Sequence, residues 1–221
     1  MQTFAPFAPV TRLRAINPRQ IRLYHNRSAY ANCRICFGPY VCAAGMAFRP
    51  LKCLATVHGC GRVMGGTAQT LVTGATGFVG SAVARKLSLA GTRARVLVRP
   101  GSPRFHLDGL DLEFVGGDLR DVQSVRAAMA GIRHVFHVAA DYRLWARDPG
   151  EIFAVNVEGT RQVMQEALRA GVERVVYTSS VATLGLRADG SPADESVPLS
   201  VEEGIGAYKR SKIAAERLVE A

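Results

Sequence analysis

The segment from Thr73 to Gly80 (TGATGFVG) constrains the fold of this chain more than any other part of the sequence. It follows a short apolar run, residues 69–73, and precedes residues 78–90, whose apolar side chains recur with the period of a helix. Gly74 permits a tight turn, and Gly80 permits a helix and a strand to pack closely. The segment therefore predicts a strand, a glycine-rich turn and a helix, the opening unit of an α/β fold.

The rest of the chain continues the same alternation. Four more apolar runs predict strands at 95–99, 112–115, 134–140 and 174–180, and three further stretches predict helices at 121–129, at 151–170 and from about residue 206. Apolar strands that alternate with helices indicate a parallel sheet covered on both faces. Because crossover connections are right-handed, we expect an α/β fold with a doubly wound, Rossmann-like sheet of strand order 3-2-1-4-5.

The first 63 residues differ in composition from the remainder. They contain nine of the 28 basic residues, none of the 18 acidic residues and all five cysteines. An Arg-rich, acid-free leader resembles a mitochondrial transit peptide, but this one holds five prolines and shows no sustained amphipathic period. We predict that residues 1–63 are an unstructured leader or translated upstream sequence, that the natural start is Met64, and that residues 64–221 form the domain.

Binding functions for this leader are disfavoured. The side chains that would form a zinc site lack a second Cys-x-x-Cys pair, so no metal site is predicted; they are Cys33, Cys36, Cys53, His58 and Cys60. The arginines come without a recognised nucleic-acid module, so nucleic acid is not an expected partner. The longest apolar run, residues 41–48, is too short to span a membrane. Since the remainder lacks cysteine, we expect a cytoplasmic protein.

The glycine-rich turn is a candidate binding site for the pyrophosphate of a dinucleotide. Gly77 lets backbone approach the phosphates, and the N-terminus of the following helix offers free N–H groups and a positive dipole end. The residue that contacts the adenosine 2′ position is expected about 20 residues later, at the end of the second strand. Arg99 stands there instead of an acid, which favours NADP, with NAD as the alternative. Asp118, after the third strand, is either an acceptor for the adenine amino group or a turn residue.

A candidate reacting site lies nearer the end of the chain. Tyr208 and Lys212 are spaced i and i+4, on one face of a helix. A phenol is a poor acid–base catalyst at neutral pH, and a nearby ammonium favours its ionised form. The hydroxyl of Ser180, at the end of the fifth strand, would bond a substrate oxygen, and Ser179 is an alternative hydroxyl.

Five motifs occur in order between residues 70 and 221: TGATGFVG, HVAA, NVEGT, YTSS and YKRSK. Together they resemble the extended short-chain dehydrogenase/reductase family. Within that family, the motif sequences are most similar to those of the group named hopanoid-associated sugar epimerases and of dihydroflavonol 4-reductases. The resemblance implies that Ser180, Tyr208 and Lys212 are the catalytic set, with Tyr208 as acid/base and Lys212 also on the nicotinamide ribose. It further implies that the backbone of Phe78 and Val79 meets the pyrophosphate, and that Ala139 and Ala140 lie against the cofactor.

The same resemblance implies that Asn156 steadies the long helix or a proton-relay water. It also implies a small-molecule substrate and a C-terminal substrate domain beyond Ala221, with a homodimer as a candidate assembly. In the loop after the fourth strand, Tyr142, Arg143 and Trp145 are candidate substrate contacts, whereas Leu144 and Trp145 are equally candidates for packing inward.

Three functions follow as hypotheses. The first is an NADP-dependent oxidoreductase that interconverts a ketone and a secondary alcohol. The second is a nucleotide-sugar epimerase or dehydratase, in which hydride leaves and returns within one bound cofactor. The third is a dinucleotide-binding module without catalysis, which the complete Ser-Tyr-Lys set disfavours.

Overall fold

A computed structural model describes the backbone of residues 21–24 and all of residues 67–221. Its six strands are β1 (Ile21–Tyr24), β2 (Thr70–Thr73), β3 (Ala94–Val98), β4 (Leu112–Gly116), β5 (His134–His137) and β6 (Arg174–Thr178). They form one parallel sheet in the order β1-β6-β5-β2-β3-β4. The predicted order 3-2-1-4-5 is confirmed, because β4-β3-β2-β5-β6 repeats it strand for strand.

The strand β1 was not predicted. It pairs with β6 at the edge of the sheet, from Ile21 opposite Val175 to Tyr24 opposite Thr178. Four residues of the segment interpreted as an unstructured leader therefore have a place in the fold. The other residues of 1–63, including the candidate zinc ligands, lie outside the described residues.

The helices cover both faces of the sheet. They are α1 (Phe78–Leu89), α2 (Val122–Met129), α3 (Gly150–Phe153), α4 (Gly159–Arg169) and α5 (Gly206–Glu220). Asp121 caps α2 by accepting from the backbone N–H groups of Gln123 and Ser124. Over residues 67–221, no helix has the length and apolar character needed to cross a membrane.

The long helix predicted at 151–170 is interrupted. A π-helical turn, Ala154–Glu158, joins α3 to α4 and carries the buried Asn156. Such wide turns inside a helix are common at functional sites, because the extra residue redirects a side chain. The sequence predicted one continuous helix here, because its apolar pattern gave no sign of the wider turn.

Two apolar clusters hold the sheet between its helices. One joins β2, β5 and β6 to α2, α4 and α5 and contains Leu71, Val135, Met164 and Tyr177. The other joins β2 and β3 to α1 and contains Val72, Ala84 and Val96. Because the sheet is parallel, all the strands end at the same edge, and the candidate site residues follow those ends.

Candidate active site

The glycine-rich turn leads from β2 into α1 and has no room for side chains at two positions. Gly74 has a positive φ of 71°, and a Cβ there would lie 2.6 Å from the Cα of Ala139. A Cβ on Gly80 would lie 2.0 Å from the carbonyl oxygen of Gly74. Both distances are far below van der Waals contact. The turn therefore packs closely against the loop after β5 and against its own helix.

Gly77 differs from its two neighbours in this respect. Its N–H donates to the Gly74 carbonyl at 3.0 Å, and a Cβ there would meet only that oxygen, at 3.4 Å. The packing of the protein itself does not require glycine at 77. The first N–H groups of α1, from Phe78 and Val79, have no partner within the helix, and both side chains are exposed. An open backbone cradle at a helix N-terminus fits the pyrophosphate of a dinucleotide.

Arg99 is exposed immediately after β3, at the edge where the strands end. The pKa of Asp118 is lowered chiefly by a hydrogen bond from Arg120, and the positive charge of Arg99 lowers it further. Arg99 acts in the same way on Asp141, whose pKa is lowered first by Arg143. Arg99 thus lies close to the ends of β4 and β5. Asp118 accepts the guanidinium of Arg120 at 2.8 Å, so it is already paired as an ionised carboxylate.

The predicted serine and tyrosine meet at the end of β6. The hydroxyl oxygen of Tyr208 on α5 lies 3.4 Å from Oγ of Ser180. That Oγ accepts the N–H of Ala182 at 3.1 Å and so caps the short helical turn Val181–Thr183. The hydrogen bond from the Ala182 N–H fixes the position of the Ser180 oxygen. The hydroxyls of Ser180 and Tyr208 can then hold one substrate oxygen between them.

Lys212 lies behind Tyr208, one turn further along α5, and is buried. Its ammonium donates to the hydroxyl of Tyr177 and to the carbonyl of Thr178, both at 2.9 Å. Burial lowers the pKa of Lys212 to about 8, and Glu216 opposes that shift. Burial also raises the pKa of Tyr177, which therefore stays protonated. Two of the three ammonium donors go to β6, which leaves one for Tyr208 or a ribose hydroxyl.

Ser179 has a different partner from Ser180. Its buried Oγ donates to the carboxylate of Glu216, one turn beyond Lys212 on α5. The side chain therefore ties the end of β6 to α5 rather than facing Tyr208. Of the two serines that the sequence left open, the structure brings Ser180 to the tyrosine.

Asn156 joins three parts of the site from the π-helical turn. Its Oδ1 accepts the N–H of Asp141 at 2.6 Å, and its Nδ2 donates to the carbonyl of the same residue at 2.8 Å. Nδ2 also donates to Oγ of Ser211 at 2.9 Å, and Ser211 donates to the carbonyl of Tyr208 at 2.8 Å. Asn156 thereby holds the loop after β5 against the first turns of α5.

The loop after β5 presents apolar side chains to solvent. Tyr142, Leu144 and Trp145 are 80%, 82% and 79% exposed, so the packing alternative for Leu144 and Trp145 is wrong within the described residues. Arg143 pairs with Asp141 at 2.6 Å and with Glu151 at 3.0 Å. The loop consequently offers apolar surface, and Arg143, one of its two arginines, is already neutralised by two carboxylates.

Sequence reasoning missed the residues that support the site. Tyr177 holds Lys212, and a buried hydrogen-bond chain through Thr73, His137 and Thr160 lies under the turn and the loop after β5. In the sequence each of these residues stands within or beside a motif, but as an unremarkable strand or helix residue. The signal available was the polar character of Thr73 and His137 at the ends of otherwise apolar strands.

Comparisons with known proteins identify the family of this chain. A sequence profile of the NAD dependent epimerase/dehydratase family matches residues 70–221. A protein of Synechocystis sp., provisionally named dihydroflavonol 4-reductase, is 47% identical over 146 residues, which are 66% of this chain and 42% of that protein. Sterol demethylase protein B of Methylococcus capsulatus is 43% identical over 147 residues, 66% of this chain and 44% of that protein.

Solved structures share the fold. The crystal structure of gox2253 is 56% identical, with a TM-score of 0.65, and the match covers 69% of this chain and 46% of that one. The UDP-glucose 4-epimerase of Thermus thermophilus, solved with NAD, is 30% identical with a TM-score of 0.59, over 67% of this chain and 48% of that one. The chain spans less than half the length of each of these relatives.

Proposed function

Since the chain belongs to the NAD dependent epimerase/dehydratase family, we propose that the whole protein is an NADP-dependent oxidoreductase that interconverts a ketone and a secondary alcohol. The observation that carries the proposal is the 3.4 Å approach of the Tyr208 hydroxyl to Oγ of Ser180, with the buried Lys212 one turn behind. A binding module without catalysis has no use for this arrangement of a proton donor, a fixed hydroxyl and a buried amine.

The three side chains have separate roles in this proposal. Ser180, held by the Ala182 N–H, orients the substrate oxygen and stabilises negative charge on it. Tyr208 gives its proton to that oxygen during reduction and takes it back during oxidation. Lys212, held by Tyr177 and Thr178, favours the ionised tyrosine between these steps. The bound nicotinamide supplies or accepts the hydride at the carbon.

The cofactor assignment rests on Arg99. An exposed guanidinium directly after β3 matches an adenosine 2′-phosphate in charge and in bidentate geometry. The alternative is NAD, which is bound in the solved Thermus thermophilus epimerase. Arg99 favours NADP because no acidic residue follows it before Asp108.

For the substrate we propose an apolar ketone that carries rings. Tyr142, Leu144 and Trp145 are exposed on a loop that Asn156 ties to Ser211, three residues from Tyr208. Exposed aromatic and aliphatic side chains beside a reacting group suit an apolar ligand. Arg143 is neutralised by Asp141 and Glu151, so it is a poor phosphate ligand for a sugar nucleotide. The names of the Synechocystis and Methylococcus relatives refer to such ring compounds, a flavonoid and a sterol.

The alternative function is a nucleotide-sugar epimerase or dehydratase, which the family and the Thermus thermophilus relative support. A direct experiment separates the two. The full-length protein is given NADPH with a dihydroflavonol or a 3-ketosteroid, and NAD with UDP-glucose, while the absorbance of reduced nicotinamide and the products are followed. A reductase consumes NADPH in proportion to alcohol formed, whereas an epimerase changes the sugar without net change in the cofactor.

Substitutions test the roles of the side chains. Tyr208→Phe and Ser180→Ala should each lower turnover by about 10²- to 10⁴-fold while cofactor binding persists. Ser179→Ala is the matched control, because Ser179 faces Glu216 and should leave the rate nearly unchanged. Turnover of Tyr208→Phe near that of the unaltered protein would remove Tyr208 from the mechanism.

We further propose that the protein works in the cytoplasm. The support is compositional: all five cysteines lie in residues 1–63, and residues 64–221 contain none.

A further inference from the structure

A buried chain of polar side chains runs beneath the candidate site, centred on His137. This residue ends β5 and is 1% exposed. Its Nδ1 lies 2.7 Å from Oγ1 of Thr73, and its Nε2 lies 3.0 Å from Oγ1 of Thr160. Neither threonine takes part in the reaction proposed above, so this series of hydrogen bonds needs a separate explanation.

The hydrogen bonds at the two ends assign the same tautomer independently. Oγ1 of Thr160 donates to the carbonyl of Asn156 at 2.7 Å, so it can only accept from His137, and Nε2 carries the proton. Oγ1 of Thr73 accepts the N–H groups of Val138 and Ala139, at 3.2 and 3.3 Å. Its two lone pairs are then used, so its own proton goes to Nδ1. The imidazole is therefore neutral, with Nδ1 as acceptor and Nε2 as donor.

The two ends of this hydrogen-bond series, Thr73 and Thr160, contact different parts of the candidate site. Thr73 immediately precedes Gly74, and through Val138 and Ala139 it also holds the loop expected to lie against the cofactor. At the other end, Thr160 holds the backbone of Asn156, whose side chain contacts Ser211 on α5. Through the Tyr208 carbonyl, Ser211 in turn supports the first turn of that helix.

We propose that His137 is a positioning residue that couples the glycine-rich cofactor turn to the helix that carries Tyr208. Only a neutral imidazole can accept from Thr73 and donate to Thr160 at once across the width of one ring. The role of the cofactor turn in this coupling rests on the proposed dinucleotide function, whereas the coupling of the two backbone segments does not.

The environment of the ring favours the neutral form. Burial, together with the positive charge of Lys212, lowers the pKa of His137 to about 3. A second proton would also face Oγ1 of Thr73, whose lone pairs already accept two N–H groups. The coupling should consequently persist at neutral and mildly acidic pH.

Two substitutions divide the coupling into its halves. His137→Asn places an amide oxygen at the position of Nδ1, so it keeps the bond from Thr73 and loses the bond to Thr160. His137→Gln places an amide N–H at the position of Nε2, so it keeps the bond to Thr160 and loses the bond from Thr73. Since the two replacements are similar in polarity, each is the matched control for the other.

The test measures cofactor affinity and amide hydrogen exchange on the full chain. We expect His137→Gln to weaken NADP⁺, or NAD⁺ if that is the cofactor, about five- to tenfold in calorimetry, and to speed exchange at residues 138–140. We expect His137→Asn to leave affinity within about twofold and to speed exchange at residues 156–162 instead.

Equal effects of both variants on both regions would make His137 an ordinary core residue and overturn the proposal, and so would no effect in either region. If the unaltered protein binds neither cofactor, the proposed function fails. The exchange pattern alone then decides the coupling: opposite regions for the two variants support it, and one shared pattern overturns it.

Discussion

The ammonium nitrogen of Lys212 lies 2.9 Å from the hydroxyl of Tyr177 and 4.5 Å from the centre of its ring. One side chain belongs to α5 and the other to β6, and both are buried. The contact therefore joins the two elements that carry Tyr208 and Ser180. It also keeps a titratable amine away from water, which has a measurable consequence.

We predict that Lys212 makes stability depend on pH above 8. Its pKa is about 8 in the folded protein against an ordinary value of 10.5, so between these values the unfolded chain binds more protons. Stability must then rise with pH across that window, by up to about 3 kcal/mol, and this contribution is absent below pH 8. Urea unfolding at several pH values from about 7 to about 10.5, compared with Lys212→Met, should show the difference.

The control is Lys209→Met. Lys209 is an exposed lysine of the same helix, so its removal should leave the pH dependence of unfolding as in the unaltered protein. If the difference in free energy of unfolding between the unaltered protein and Lys212→Met stayed constant between pH 8 and pH 10.5, Lys212 would not be shielded from water.

The second prediction is that two glycines of the turn affect different properties: substitution of Gly80 lowers stability, whereas substitution of Gly77 weakens cofactor binding. Gly80→Ala drives a Cβ into the carbonyl of Gly74, so it should cost roughly 1–3 kcal/mol of stability or more. Gly77→Ala meets only an ordinary contact and should cost no more than about 1 kcal/mol. A methyl group at 77 nevertheless blocks the open cradle over the N-terminus of α1.

Thermal melting and calorimetry with NADP⁺ on both variants check this prediction. Gly77→Ala should melt close to the unaltered protein and bind the cofactor roughly tenfold more weakly or worse, which corresponds to a loss of about 1.4 kcal/mol. Normal affinity in Gly77→Ala would contradict the assignment of the cradle to the pyrophosphate.

A third prediction concerns the choice of cofactor. A charge-assisted bond to phosphate contributes about 1.5–3 kcal/mol, so Arg99→Asp should weaken NADP(H) roughly ten- to hundredfold while NAD(H) weakens little or improves. Arg93→Asp is the matched control, because Arg93 lies before the other end of β3, where it pairs with Asp111.

Titration calorimetry with both cofactors, at one ionic strength, provides the measurement. Equal losses for the two cofactors in Arg99→Asp would indicate damage to the turn. A preference of the unaltered protein for NAD would refute the NADP assignment and favour the epimerase alternative.

The leader offers a fourth prediction. Within residues 67–221 the two apolar clusters already cover both faces of the sheet, and the described part of the leader is β1, four residues at one edge. We propose that a chain beginning at Met64 still unfolds cooperatively and is no less stable than the longer one. Urea unfolding of both chains checks this; a loss of several kcal/mol on truncation would show that the leader packs on the domain.

Much of the fold follows from local patterns. Apolar strands, helical periods and glycines at the turn specify the order of the elements, because each pattern reports which faces of a strand or helix must be buried. The motif residues Gly74 and Ser180 could be placed in the same way, since parallel strands bring the residues after their ends to one edge. The predicted ends of β5 and β6 were too late by three and two residues, which hid the loop character of residues 138–140 and 179–180.

Other features depend on contacts between residues far apart in the sequence. That Ser180 rather than Ser179 meets Tyr208, and that Lys212 bonds Tyr177, depends on how α5 packs against β6. The neutral tautomer of His137 depends on hydroxyls 64 and 23 residues away. Local periodicity records which face of an element is apolar, but it carries no record of which polar atoms meet once those faces pack. The amino-acid pattern thus specified five of the six described strands, the turn and the candidate reacting residues, and tertiary packing alone decided the hydrogen-bond partners of those residues.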